Sequence, residues 1–211
     1  WLGINQVART WFFLDRILDW YPQFNVVRNE FFRTKGLCQG PLPASTGICG
    51  KNRAGGALAV GAWAVQSLDA QMRIEEVFSP LQCPAPNYGS GFSRAMAMAA
   101  PDHERLLISG TASIHPDGSS MHWGDIDRQI ELTMDVVRGI LAERKMTFAD
   151  VTRATAYFKR AQDAPALARW CAGHEVKSLP VVITEAAVCR DELLFEIELD
   201  AMVARTASSG E

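Results

Sequence analysis

Two stretches of this 211-residue chain run through the same order of patterns, and the repetition constrains the fold more than any single motif does. Residues 7–65 open with VARTWFFL and residues 151–203 with VTRATAYF, both β-prone and both with an Arg at the third position, Arg9 and Arg153. Each opening leads into a stretch with helical apolar spacing, then a Leu-Pro, then a strand of apolar or small residues, then a closing strand. A strand, helix, Pro-led strand and final strand that recur in this order predict a duplicated α+β unit.

The second unit carries a front half that the first lacks. FSRAMAMAA and RLLISGTASI read as two strands joined through PDHE, a hairpin punctuated by turn residues. HPDGSS is a polar Asp-Gly turn. From Asp125 to Arg144 the residues Ile126, Ile130, Met134, Val137 and Leu141 recur at three or four, one face of an amphipathic helix with Asp125 as its N-cap. The chain has no initial Met, and the first unit's missing hairpin and helix are expected upstream of Trp1. The expected organisation is a truncated first unit at 1–68, a Pro-rich linker at 69–87, a complete unit at 88–205 and a tail at 206–211.

Composition excludes several classes. A formal charge of −3 with no run of Lys or Arg offers no phosphate-binding surface, so nucleic acid is not an expected partner. The longest apolar run, around GALAVGAWAV, is too short to cross a bilayer as a helix. Five cysteines without a CxxC pair and four histidines without ligand spacing point to neither a zinc site nor a disulfide framework, and to a reducing cytoplasm. No P-loop, GxSxG, HExxH or Rossmann fingerprint occurs. GICGKNRAGG lacks the GK[ST] ending and reads as a hairpin turn. No metal and no organic cofactor are expected.

The last strand, in VCRDELLFEIELDA, alternates strictly. Phe195, Ile197, Leu199 and Ala201 share one face, and Leu194, Glu196, Glu198 and Asp200 share the other. By pattern alone the acidic face is a solvated one. Arg9, Arg153 and Arg94 sit at strand beginnings, where a lone Arg is ordinarily a surface or edge charge. Arg28 and Arg169 lie on helical stretches.

At FSRA, ISGTASI, HWGD and CRDELLFEIE the sequence resembles the RidA (YjgF) superfamily, and within it the chorismatases, which likewise carry a divergent domain ahead of the RidA-like one. Phe24, Asn25 and Arg28 fit the FN-x-x-R of that first domain. The resemblance implies an α+β fold: a RidA/chorismate-mutase-like C-terminal domain with a divergent, partly missing RidA-like N-terminal half. It also implies a homotrimer or trimer-like ring of domains, with sites at the clefts between neighbours.

The implied substrate is a small carboxylic acid: chorismate, or a related enolpyruvyl acid, which would lose pyruvate to leave a hydroxybenzoate or dihydrodiol. Glu196 matches the site Glu of both branches and is the implied proton donor. Cys189 occupies the place of the Cys expected in chorismatases that release 3-hydroxybenzoate. Arg94 and Arg28 are the implied carboxylate clamps, Tyr88 a phenol hydrogen-bonding group, and Gly110 a point of close approach to ligand. Arg169 is a weaker substrate-binding candidate, with an ion pair or surface role as its plainer reading. Glu198 and Asp200 read as structural or solvent-facing.

Two departures bear on function. The Arg that RidA-type imine deaminases place two residues after the strand-leading Pro is Val182 after Pro180 and Ser45 after Pro43, which argues against an enamine or imine deaminase. The loop before FSRA is only NYGSG, shorter than in chorismatases, which favours a third alternative, a non-catalytic binder of small carboxylates.

Overall fold

The computed structural model describes residues 6–36, 40–66 and 72–205. The first unit contributes strand β1 (Gln6–Leu14), helix α1 (Ile17–Thr34), β2 (Ala44–Cys49) and β3 (Leu58–Val65). The rest of the chain contributes β4 (Arg73–Val77), β5 (Ala95–Ala99), β6 (His103–Ala112), α2 (Ile126–Ala142), β7 (Val151–Phe158), α3 (Pro165–Gly173), β8 (Val181–Glu185) and β9 (Phe195–Ala204). They form a three-stranded sheet of order β2-β1-β3 and a six-stranded sheet of order β4-β5-β6-β9-β7-β8.

The repeat is real in topology. Strand β1 runs parallel to β2 and antiparallel to β3, and β7 runs parallel to β8 and antiparallel to β9. Each unit therefore makes the same parallel crossover through a helix, then returns along the far side of its first strand. The match extends to an irregularity: pairing shifts register between Val7 and Arg9 in one unit and between Val151 and Arg153 in the other. A bulge re-aims the side chain beside it, here an Arg in both copies.

Helix α2 begins as its pattern predicts, with the Asp125 side chain accepting from the Arg128 backbone N–H at 3.0 Å. Its apolar stripe packs with Phe195, Ile197, Leu199 and Ala201 of β9 into the main core, where each fully buried large apolar side chain stabilises by about 1.5–3 kcal/mol. Strand β6 pairs with β5 as the expected hairpin. In α1 the residues Ile17, Phe24, Arg28 and Phe32 are buried together. Their spacing by four and seven draws Arg28 inward between two core phenylalanines.

Three expectations are corrected here. GICGKNRAGG is not a hairpin turn, because β2 and β3 are not neighbours but flank β1 on opposite sides. Part of the expected linker forms β4, antiparallel to β5; its Val77 enters the main core, and Ile74 packs with Met96 and Met98. The acidic face of β9 is not solvated, since the first unit's sheet covers it. The tail at 206–211 lies outside the described residues.

The two sheets meet along β2 and β6. The Ser93 N–H donates to the Pro43 carbonyl at 3.0 Å, the Ser45 N–H to Ser109 Oγ at 2.8 Å, and the Gly110 N–H to Thr46 Oγ1 at 3.1 Å. This seam is polar, and it brings the front of β2 against the acidic end of β9. No helix among the described residues is long and apolar enough to cross a membrane.

Candidate active site

A recess of about 540 Å³, counting its open mouth, lies where the two units meet. Helix α1 supplies Tyr21 and Arg28, strand β2 supplies Ser45, and the loop entering β5 supplies Tyr88 and Arg94. Strand β6 supplies Gly110, the turn before β9 supplies Cys189 and Arg190, and β9 supplies Glu196. Six of the seven site residues expected from sequence thus converge. Arg169 does not: it stays exposed on α3 and pairs with Asp127 at 2.7 Å.

Three guanidiniums and one carboxyl group face the recess. Arg94 donates through Nε and Nη2 to the Cys83 carbonyl, at 3.0 and 2.8 Å. Arg190 donates to the Gly118 carbonyl at 2.8 Å and to Ser120 Oγ at 3.1 Å. Tyr88 lies against both, its ring centre 5.4 Å from the Arg94 guanidinium and 5.6 Å from that of Arg190. Arg28 stacks over the Phe24 ring at 5.4 Å, and its buried Nε has no hydrogen-bond partner among the described residues. A buried donor left unmade is costly, and an incoming carboxylate would satisfy it.

Glu196 is 4% exposed, and its carboxyl group has no hydrogen-bond partner among the described residues. Desolvation, with the Glu198 carboxylate adding to it, pushes this acid up to about 8 against an opposing pull from Arg9. It therefore holds its proton at neutral pH. Burial pushes Cys189 up to about 12, so its thiol is neutral and lines the wall rather than acting as a thiolate. Burial also raises the Tyr21 and Tyr88 phenols, leaving both as neutral hydrogen-bonding groups.

Two residues after Glu196, the next acid of the face is fully paired. Glu198, 1% exposed, accepts from Arg9 at 2.5 Å, from Arg153 at 2.9 Å, from Trp11 Nε1 at 3.0 Å and from Thr46 Oγ1. Arg9 also donates to the Ile108 carbonyl at 2.8 Å. Arg9 and Arg153 are thus not edge charges; the paired bulges turn both toward one carboxylate. Glu198 is therefore buried and paired rather than solvent-facing.

Sequence reading missed Tyr21 and Arg190. Tyr21 stands three residues before Phe24 and seven before Arg28, on the same helical face, which was a usable signal. Arg190 directly follows Cys189 in CRDELL, where a lone Arg in a turn carries no signal of its own.

The raised acid has a consequence for stability. Unfolded, Glu196 ionises near its ordinary 4.5; folded, near 8. Below the lower value both states keep the proton. Across the window between them the unfolded state releases it while the folded state does not, so stability falls with rising pH, by an amount on the order of a few kcal/mol. Glu196→Gln removes this dependence. Urea midpoints of the variant and wild type should diverge between pH 5 and pH 8, with the variant becoming the more stable; parallel curves would contradict the raised acid.

The fold is a mixed α+β one in which the strand, helix and strand unit occurs twice. A protein of the conserved Rid family from Yersinia pestis superposes with a TM-score of 0.52 at 18% identity, over 62% of this chain and 100% of that one. Over most of the chain the likeness is to chorismatases. A chorismatase crystal structure matches with a TM-score of 0.81 at 26% identity, over 95% of this chain and 65% of that one. A chorismatase of Streptomyces hygroscopicus is 28% identical, over 93% of this chain and 62% of its own length. A 3-hydroxybenzoate synthase of the same organism is 26% identical, over 93% and 63%. The chain thus spans about three fifths of the length of these curated relatives. No protein-family model matches it.

Proposed function

We propose that this protein releases pyruvate from chorismate or a related enolpyruvyl carboxylic acid. The observation that carries the reading is the unpaired, proton-holding Glu196 facing the same recess as Arg28, Arg94 and Arg190. A substrate with two carboxylates requires more than one cation, and guanidinium forks suit carboxylates. The similarity to a chorismatase and to a 3-hydroxybenzoate synthase supports the substrate class.

In the reaction, Glu196 gives its proton to the methylene carbon of the enolpyruvyl ether, leaving an oxygen-stabilised cation at the ether carbon. Water adds there, and collapse of the hemiketal frees pyruvate and a ring alcohol, the dihydrodiol. If the ring instead loses its other hydroxyl as water, the aromatic product is a hydroxybenzoate, and no net water is consumed. Cys189, neutral and half-buried, lines the same recess as the acid and supports the 3-hydroxybenzoate outcome. Neither route needs an oxidant or a reductant.

Incubation with chorismate should release pyruvate; none above background would discard the reading, and tight binding without turnover would select the carboxylate binder instead. A deaminase is disfavoured because the two positions that would carry its Arg hold Ser45, in the recess, and Val182, outside it. The homotrimer or trimer-like ring and a cytoplasmic location belong to the same proposal. The apolar Val182 and Ile183, 66% and 48% exposed on edge strand β8, support an edge that assembly covers.

Gly110 tests the placement of the acid. A Cβ there would collide with Glu196 Oε1, and the flexible carboxyl end would swing away. Gly110→Ala should keep the melting temperature near that of wild type and lower kcat by about 10²-fold, the scale of an ångström's misplacement. Unchanged turnover would remove the carboxyl position from the mechanism.

A further inference from the structure

Glu196 and Glu198 point from one strand to one side, a pleat apart, yet their surroundings are opposite. Every donor on Glu198 comes from another strand: Arg9 and Trp11 from β1, Thr46 from β2 and Arg153 from β7. Glu196 has none. We propose that Glu198, clamped by Arg9 and Arg153, is a positioning residue that holds Glu196 in its protonated, donating form. The inference rests on the reading of Glu196 as the proton donor and assigns the group that prepares it.

The clamp is balanced in charge. Arg153 also grips Asp200, with both contacts at 3.2 Å, so two guanidiniums and two carboxylates alternate as Arg9, Glu198, Arg153 and Asp200. Such a ladder keeps Glu198 ionised without presenting a net positive charge to Glu196. Around Glu196 the other titratable groups are Tyr157, its cross-strand partner on β7, Tyr21 and Arg28 on α1, Tyr88 and Arg94 before β5, and Cys189 and Arg190 before β9. Burial keeps the phenols and the thiol neutral. The remaining charges are the guanidiniums, which favour ionisation of Glu196, and the Glu198 carboxylate, which opposes it.

Two neighbouring acids whose environments drive them apart divide the roles of fixed charge and proton carrier. That both clamping arginines emerge at equivalent bulges of the two units means that the seam closes on Glu198 only when the units pack. The donor is thus readied by association of the two halves.

The test uses the full chain without substrate. The infrared band of a protonated carboxylic acid, assigned to Glu196 by its absence from Glu196→Gln, is followed with pH. Wild type should lose it near pH 8. Glu198→Gln removes the opposing charge and should lower the midpoint by about one pH unit or more. Arg153→Gln, at the half-exposed end of the clamp, leaves Glu198 ionised by Arg9 but with less of its charge neutralised, and should raise the midpoint by about a few tenths of a unit.

Shifts of opposite sign support the inference, since a merely structural role gives no such pair. Unmoved midpoints, shifts of the same sign, or a wild-type Glu196 that titrates as an ordinary carboxylate overturn it. If Glu198→Gln does not fold, Arg153→Gln decides: a rise supports the inference and no movement overturns it. A chain that titrates as expected but yields no pyruvate retains the clamp and loses the proposed function.

Discussion

Under the proposed reaction, Glu196→Gln should lower pyruvate release by roughly 10²–10⁴-fold, the range for removing a positioned general acid, without abolishing chorismate binding. Gln keeps the shape and the hydrogen-bonding capacity of a protonated Glu but has no proton to transfer. The loss should therefore fall on kcat, with little change in KM. Because the acid is raised to about 8 by burial and Glu198, wild-type kcat should hold through neutral pH and fall as pH rises past that value. Glu196→Asp is the informative companion. It retains an acid but retracts it by one methylene, and partial activity with the same alkaline limb would assign the limb to this position. Turnover at the wild-type rate in Glu196→Gln would remove Glu196 from proton transfer.

The second large effect is on stability. Arg9 is fully buried and pairs with Glu198 at 2.5 Å across the seam between the units. Arg9→Met leaves that carboxylate desolvated with Arg153, Trp11 and Thr46 as its remaining partners. Breaking a buried pair from one side costs about 3–5 kcal/mol, a large part of the stability of an ordinary domain. The expected readout is a urea midpoint far below wild type at unchanged slope, or an insoluble chain. Adding Glu198→Leu removes the orphaned charge as well, so the double variant should be more stable than the sum of the two single losses, which a double-mutant cycle measures. Strict additivity would mean that the pair contributes nothing to joining the units.

Much of this was legible in local pattern. The duplicated strand, helix and strand order anticipated both crossovers, and the three-and-four spacing from Ile126 anticipated α2 and its Asp125 cap. Strict alternation in β9 separated the core face from the acidic face, because strand side chains alternate whatever lies around them. Glu196, Arg94, Arg28, Tyr88, Cys189 and Gly110 were named from motifs and do share one recess. Arg169 was named too and lies elsewhere, since a helix-surface Arg and a ligand-binding one look alike in one dimension.

What the sequence by itself determined is periodicity: which residues form each element and which of them share a face. Whether the acidic face of β9 meets water or protein was a tertiary decision. Arg9 and Glu198 are 189 positions apart, and no local rule links them. Only the packing of the first unit's sheet onto β9 buries that face, pairs Glu198 and leaves Glu196 unpaired. The same carboxyl chemistry then takes opposite protonation states two residues apart, because ionisation follows desolvation and neighbouring charge, and these are properties of the folded surroundings.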